Sequence, residues 1–187
     1  MKSLKLIFLL LITLAWEYSY ASEKDKSFQE QSILSVLYVQ TSTEFAANNI
    51  QTFNNASKAL DMALKDKTWT AALEQKDSFV SKDPAIIIDV DETVLDNSSF
   101  QSRTILSGLS YPNGWAKWVN ESMATAVEGV YEFLHYANES NVKIFYVTNR
   151  LESFREPTIR NLKSLGLPFD DSLNSLIMRE DEDVRDL

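Results

Sequence analysis

Cysteine is absent from the 187 residues, so no disulfide, thiolate metal site or cysteine nucleophile can belong to this chain. Histidine occurs once; His135 lies within a helical stretch and is assigned no role. Lysine and arginine number 18 against 27 aspartates and glutamates, a net charge of −9. Such a surface repels polyanions at long range, which argues against a nucleic-acid polymer as partner and for a small substrate neutralised locally. Proline and glycine number four each. Between Phe28 and Lys67 there is neither, and that stretch reads as helix. The apolar run Leu6–Trp16 has 11 residues, too short to span a bilayer comfortably.

What surrounds that run gives it a reading. Lys2 and Lys5 precede it, and Ser19-Tyr20-Ala21 places small residues around a cleavage point before Ser22. Met1–Ala21 is therefore expected to be a secretory signal peptide removed from the mature protein. Its loss leaves 16 basic and 26 acidic residues, net −10. The expected location is periplasmic or extracellular, with no membrane anchor after cleavage. A hydrophobic content of 44% with 24% charged residues is ordinary globular composition, and residues 22–187 are read as one domain.

The chain is organised around Pro84-Ala-Ile-Ile-Ile-Asp89-Val-Asp91-Glu-Thr93-Val-Leu-Asp-Asn97-Ser98. An apolar, β-branched run between a proline and two acids predicts a strand buried on both faces of a parallel sheet. Ligands bind beyond the carboxyl ends of such strands. Asp89 and Asp91 stand there, and residues i and i+2 share a face, so both carboxylates can aim into one site. Two like charges so close call for a divalent metal or for one carboxyl to hold a proton.

Upstream, Ile33, Val36 and Leu37 suggest a first helix. Ile50, Phe53, Leu60 and Leu64 line one face of a second, with Asn48-Asn49 as the break and Trp69 and Leu73 extending the pattern. Downstream, Asn97–Leu109 reads as loop or short helix, and Tyr111-Pro-Asn-Gly114 as a type I or II turn. Trp115-Ala-Lys-Trp118 opens a helix, and Val127–Asn138 forms the next. Val142–Val147 is a second strand ending on Thr148-Asn149-Arg150. A helix from about Ser153 to Leu165 follows, closed by Gly166 and Pro168. Leu176–Met178 is a third strand, and Arg179–Leu187 an acidic, solvated tail. Alternating strands and helices with short connections imply an α/β fold with parallel pairing.

Asp89-Val-Asp91-Glu-Thr93 resembles the first motif of the haloacid dehalogenase-like superfamily. The longer Asp89–Ser98 string is similar to that of the secreted class C acid phosphatases. Val147-Thr148-Asn149-Arg150 resembles the second superfamily motif, and Tyr38–Phe45 the family's amino-terminal helical region. The resemblance covers roughly residues 33–178. It implies a Rossmann-like (HAD-like) sheet with amino-terminal helices and a small helical cap. It also implies a Mg²⁺-dependent acid phosphatase acting on small phosphomonoesters or nucleotides. Asp89 would be the nucleophile that forms an aspartyl-phosphate, and Asp91 the acid and then the base. Asp89 and the main-chain carbonyl of Asp91 would supply metal ligands. Thr148 and Asn149 would bind the phosphoryl oxygens, and Trp115, on the cap, could stack on a substrate ring.

Departures temper this. The family's lysine after the third strand and its later acidic pair have no counterpart. Asp170-Asp171 precedes the strand, and Lys163 sits in the preceding helix. The sheet is expected to be incomplete, the domain's carboxyl-terminal part missing, and the chain a poor enzyme. Lipoprotein members of the family carry a cysteine at the cleavage site; this chain has none, so a freely soluble form is expected. The competing readings are a secreted binding or storage protein that keeps the fold without turnover, and a phosphotransferase that passes the phosphoryl group to an alcohol.

Overall fold

The computed structural model describes residues 31–72 and 74–181. The signal-peptide reading of Met1–Ala21, Leu73 and most of the acidic tail lie outside the described residues. In chain order, α1 (Ile33–Thr41) and α2 (Thr43–Lys65) precede β1 (Ala85–Asp89). Then come β2 (Leu95–Asp96), α3 (Ser98–Ser107), α4 (Trp115–Glu121), β3 (Thr125–Ala126) and α5 (Val130–Glu139). β4 (Lys143–Leu151), α6 (Arg155–Ser164) and β5 (Leu176–Arg179) complete the described chain. The fold is α/β. Its sheet has the order β1-β4-β5 with all strands parallel, and β2 pairs antiparallel with β3 in a separate ribbon.

The break between the first two helices falls at Ser42, not at Asn48-Asn49, which lie inside α2. Ser42 is extended, and its hydroxyl accepts from the Phe45 amide, capping α2. An asparagine pair lacks this advantage mid-helix: Asn48 is exposed, and Asn49 Nδ2 is buried without a hydrogen-bond partner. α2 stops at Lys65, and Trp69 is exposed beyond it. A short 3₁₀ turn, Asp77–Ser81, leads into β1. The Tyr111-Pro112 bond is cis, and the turn closes from Asn113 N to Ser110 O at 2.9 Å. Pro112 therefore holds the third position of a type VI turn rather than the second of type I or II.

α5 buries Val130, Phe133, Leu134 and Ala137, the i, i+3, i+4, i+7 stripe that a core-facing helix needs. It also packs against α2, where the Phe53 and Phe133 rings lie 5.7 Å apart. Gly129 (φ 85°) permits this approach, since a Cβ there would lie 3.0 Å from Ile50 Cα. The core joins these residues to Ile88, Ile144, Tyr146, Leu162 and Leu176. Tyr146 donates to Pro168 O at 2.7 Å, and burial holds its phenol well above the usual range. Asn161, buried on α6, clasps the segment between α4 and β3: its Nδ2 donates to Ala124 O (2.8 Å) and its Oδ1 accepts from Ala124 N (3.1 Å).

β1 is not buried on both faces: Ile88 is 8% exposed, while Ile87 is 76% exposed. Ile87 and Phe145 are register partners, as are Val147 and Ile177, on a face against which no described element closes. With one face open, the residues of β1 alternate between core and solvent as in a one-sided sheet.

Candidate active site

The acidic motif begins as a strand and ends as a tight reversal. β1 stops at Asp89, and fully buried Val90 gives its amide to Val147 O at 3.2 Å. Val90 O then accepts from both Val94 N (2.9 Å) and Leu95 N (2.8 Å). Glu92 takes a left-handed conformation, φ 59°, to make the turn, and its amide donates to Leu95 O at 2.8 Å. This reversal ends the two-residue alternation, so the two aspartates enter different surroundings. Asp89 is exposed and accepts one hydrogen bond, from Thr93 Oγ1 at 2.9 Å.

Asp91 is enclosed by donors. Its Oδ1 accepts from Asn97 Nδ2 (2.9 Å), Arg150 Nε (3.0 Å) and Arg150 Nη2 (2.8 Å). Its Oδ2 accepts from Thr148 Oγ1 at 2.9 Å. β4 shifts register between Val147 and Leu151 and carries Thr148 and Arg150, both buried, toward Asp91. The strand thus runs on through the motif rather than ending before it. Thr148 Oγ1 also accepts from Arg150 N at 3.0 Å, which fixes its hydroxyl direction.

Beside Asp91 opens a cleft of about 390 Å³. Asp91, Asn97, Arg150 and exposed Asn149 form its polar side; Phe100, Tyr111 and Trp115 form an aromatic wall. The Trp115 ring meets Phe100 edge-on at 5.1 Å and Tyr111 at 5.9 Å. The neighbouring Trp118 is core, donating its indole N–H to Asn97 Oδ1 at 2.8 Å. Partial burial at the rim raises the Glu92 carboxyl above its ordinary value; Asn97 opposes this, and the charges of Asp91 and Asp96 reinforce it.

Of the residues singled out in the sequence, Asp91, Asn149 and Trp115 line the cleft, with Thr148 bonded to Asp91. Asp89 stands outside the lining, at the end of β1, in register with Val147, which immediately precedes Thr148. Three further residues of this hydrogen-bonded cluster escaped the sequence reading. Arg150 could have been found from strand alternation, because it shares a face with Thr148. Asn97 lies inside the acidic motif itself, whereas Thr158, which accepts from Arg150 Nη1 at 3.1 Å, gives no sequence signal. Asp171 pairs with Lys163, in keeping with its place away from the acidic motif. His135 meets Gly166 O at 2.9 Å.

Among the described residues, no group of three or more His, Asp or Glu side chains could hold a metal. The donors present do fit a hard cation that keeps several waters and shares a substrate phosphate, a mode needing one or two carboxylates. Asp89 has the free carboxylate oxygen for this.

A family model described as HAD superfamily, subfamily IIIB (acid phosphatase), matches residues 15–186. Among solved structures, the chain is similar to the class C acid phosphatase from Bacillus anthracis, and to the same enzyme with tungstate bound. Each comparison gives 33% identity and a TM-score of 0.70, and covers 81% of this chain. The chain spans 58% of the length of those relatives.

Proposed function

Because the chain belongs to subfamily IIIB of the HAD superfamily, the acid phosphatases, we propose that it hydrolyses small phosphate monoesters at the carboxyl edge of β1. Asp89 attacks phosphorus as the P–O bond to the alcohol breaks, and Asp91 gives the leaving oxygen its proton. Asp91 then takes a proton from the water that attacks the aspartyl-phosphate, releasing inorganic phosphate and regenerating Asp89. The observation that carries this reading is the contrast between the two acids. Asp89 is exposed with one hydrogen bond, as a nucleophile must be, and Asp91 is held at the cleft.

Asn149, exposed at the cleft, would offer amide donors to the phosphoryl oxygens, and Thr148 would join it by turning its hydroxyl from Asp91 to the phosphate. Mg²⁺, bound through Asp89, the carbonyl of Asp91 and the phosphate itself, would offset the negative charge that gathers on the transferring group. The aromatic wall around Trp115 favours a leaving group with a flat apolar part, a nucleoside among them. The tungstate held by the B. anthracis relative, a tetrahedral oxyanion like phosphate, supports the same site chemistry. Export follows from the Met1–Ala21 pattern. The test is p-nitrophenyl phosphate hydrolysis with Mg²⁺ and with chelator, together with trapping of the phosphoryl-enzyme. Mg²⁺-dependent turnover through a phosphorylated Asp89 is expected; phosphorylation of another residue would remove the assignment.

A non-catalytic phosphate-binding role has one observation in its favour: both oxygens of Asp91 already carry donors. Tungstate binding without turnover of any ester would select it.

A further inference from the structure

Resting on the phosphatase reading, we propose that Arg150 is a positioning residue for Asp91: it fixes the carboxylate that serves the leaving group and couples it to the cap tryptophan Trp115. Arg150 is 4% exposed, a charge taken almost wholly out of water. Such burial is costly unless the charge is paired and hydrogen-bonded. Here each guanidinium nitrogen has a partner. Nε lies 3.0 and 3.3 Å from the two oxygens of Asp91, and Nη2 lies 2.8 Å from Oδ1. Nη1 donates to Thr158 Oγ1 at 3.1 Å, and Nη2 also reaches Asn97 Oδ1 at 3.4 Å.

The fork ties the turn after β1 to β4 and α6, so the Asp91 side chain cannot rotate without breaking several bonds together. A lysine in that place keeps the charge but not the fork. The guanidinium carbon also lies 5.3 Å from the centre of the Trp115 ring, within cation–π range. Trp115 and Asp91 line the same cleft. A ligand that displaces the tryptophan therefore changes the surroundings of the guanidinium that holds Asp91. A purely structural ion pair has no need of a partner carboxylate that faces a cleft.

The test compares two esters in the full chain and in its R150K and R150M variants. p-Nitrophenolate leaves with little help from a proton, whereas a primary alkoxide needs one. Proton transfer by a placed group is worth roughly 10²–10⁴-fold. Because Asp91 also serves the water step that both esters share, the comparison is made on kcat/KM, which reads only the steps through alcohol release. In both variants kcat/KM for a primary alkyl phosphate should fall about tenfold or more beyond the fall for p-nitrophenyl phosphate. Equal losses of kcat/KM on the two esters in a variant that melts like the parent would overturn the proposal and leave Arg150 a structural residue.

A second measurement needs no turnover. The melting shifts of R150K, D91N and the double variant should be strongly non-additive, as expected for side chains in contact. Additive shifts would sink the clamp whatever the activity. A parent chain that hydrolyses neither ester would instead refute the phosphatase reading, and the melting cycle would then decide whether the clamp exists.

Discussion

Ile87 and Ile88 are adjacent and chemically identical, yet one is 76% exposed and the other 8%. The difference lies in what faces them. Ile88 looks toward the layer of α5 and α6, among Tyr146, Leu134 and Leu162; Ile87 looks toward a side of the sheet that no described element covers. The two faces divide the work of the molecule. The covered face holds the core, and its carboxyl edge carries Thr148 and Arg150. The open face ends in Asp89, whose surroundings are nearly bare. Stability is concentrated on one side, and Asp89, the proposed nucleophile, stands on the other.

The largest effect that can test this division is on turnover. Asp89→Asn should lower it by on the order of 10⁴ or more, as removal of a nucleophile does. Stability should change by no more than about 0.5 kcal/mol, because Asp89 is exposed with one hydrogen bond. Activity assay and urea unfolding on the same sample measure both. A large loss of stability would mean that the open face is not structurally quiet.

The converse pair is Ile88→Ala against Ile87→Ala. Removing Ile88 should cost about 2–5 kcal/mol, since it leaves a cavity in the core. Removing Ile87 should cost less than about 0.5 kcal/mol. Equal costs in urea unfolding would show that the open face is covered in solution. A smaller effect on the covered side is expected for Tyr146→Phe, which keeps the ring and loses the bond to Pro168 O. That change should cost about 0.5–1.5 kcal/mol.

The smallest effect concerns pH. A carboxyl raised in the folded protein favours folding while protonated, and that advantage is lost as pH climbs through its folded value. Glu92 is such a group. Glu92→Gln should therefore raise the melting temperature slightly at pH 7, and leave it unchanged below the ordinary glutamate value of about 4.3. A stabilisation that persists at low pH would point to packing rather than charge.

Much of this arrangement was legible in the sequence, for identifiable reasons. The isoleucine run set β1, the Leu176–Met178 run set β5, and the apolar stripe of Val130, Phe133 and Leu134 set α5, because period and composition agree there. Gly166, with φ 70°, sits just past α6 as a helix-ending glycine should. What failed was long-range. An apolar strand says that it wants cover, but whether both faces receive it depends on elements elsewhere. The alternation that brings two aspartates to one face holds while the strand lasts, and here the strand ends between them. The donor shell of Asp91 draws on residues as far as 59 positions away, and pairwise geometry of that reach leaves no local pattern. The Ser42 break was hidden because a serine inside a helix-forming stretch looks like any other polar position.

The clasp of Asn161 on Ala124 has a consequence for an Asn161→Asp exchange. A side-chain amide stands in for one rung of a β-ladder, giving a donor to a carbonyl and an acceptor to an amide of the same residue. That exchange conserves size while replacing the donor with a second acceptor, which would then face the Ala124 carbonyl oxygen. A change of one mass unit would thus unfasten α6 from the segment joining the cap to β3, with no atom of the acidic motif altered.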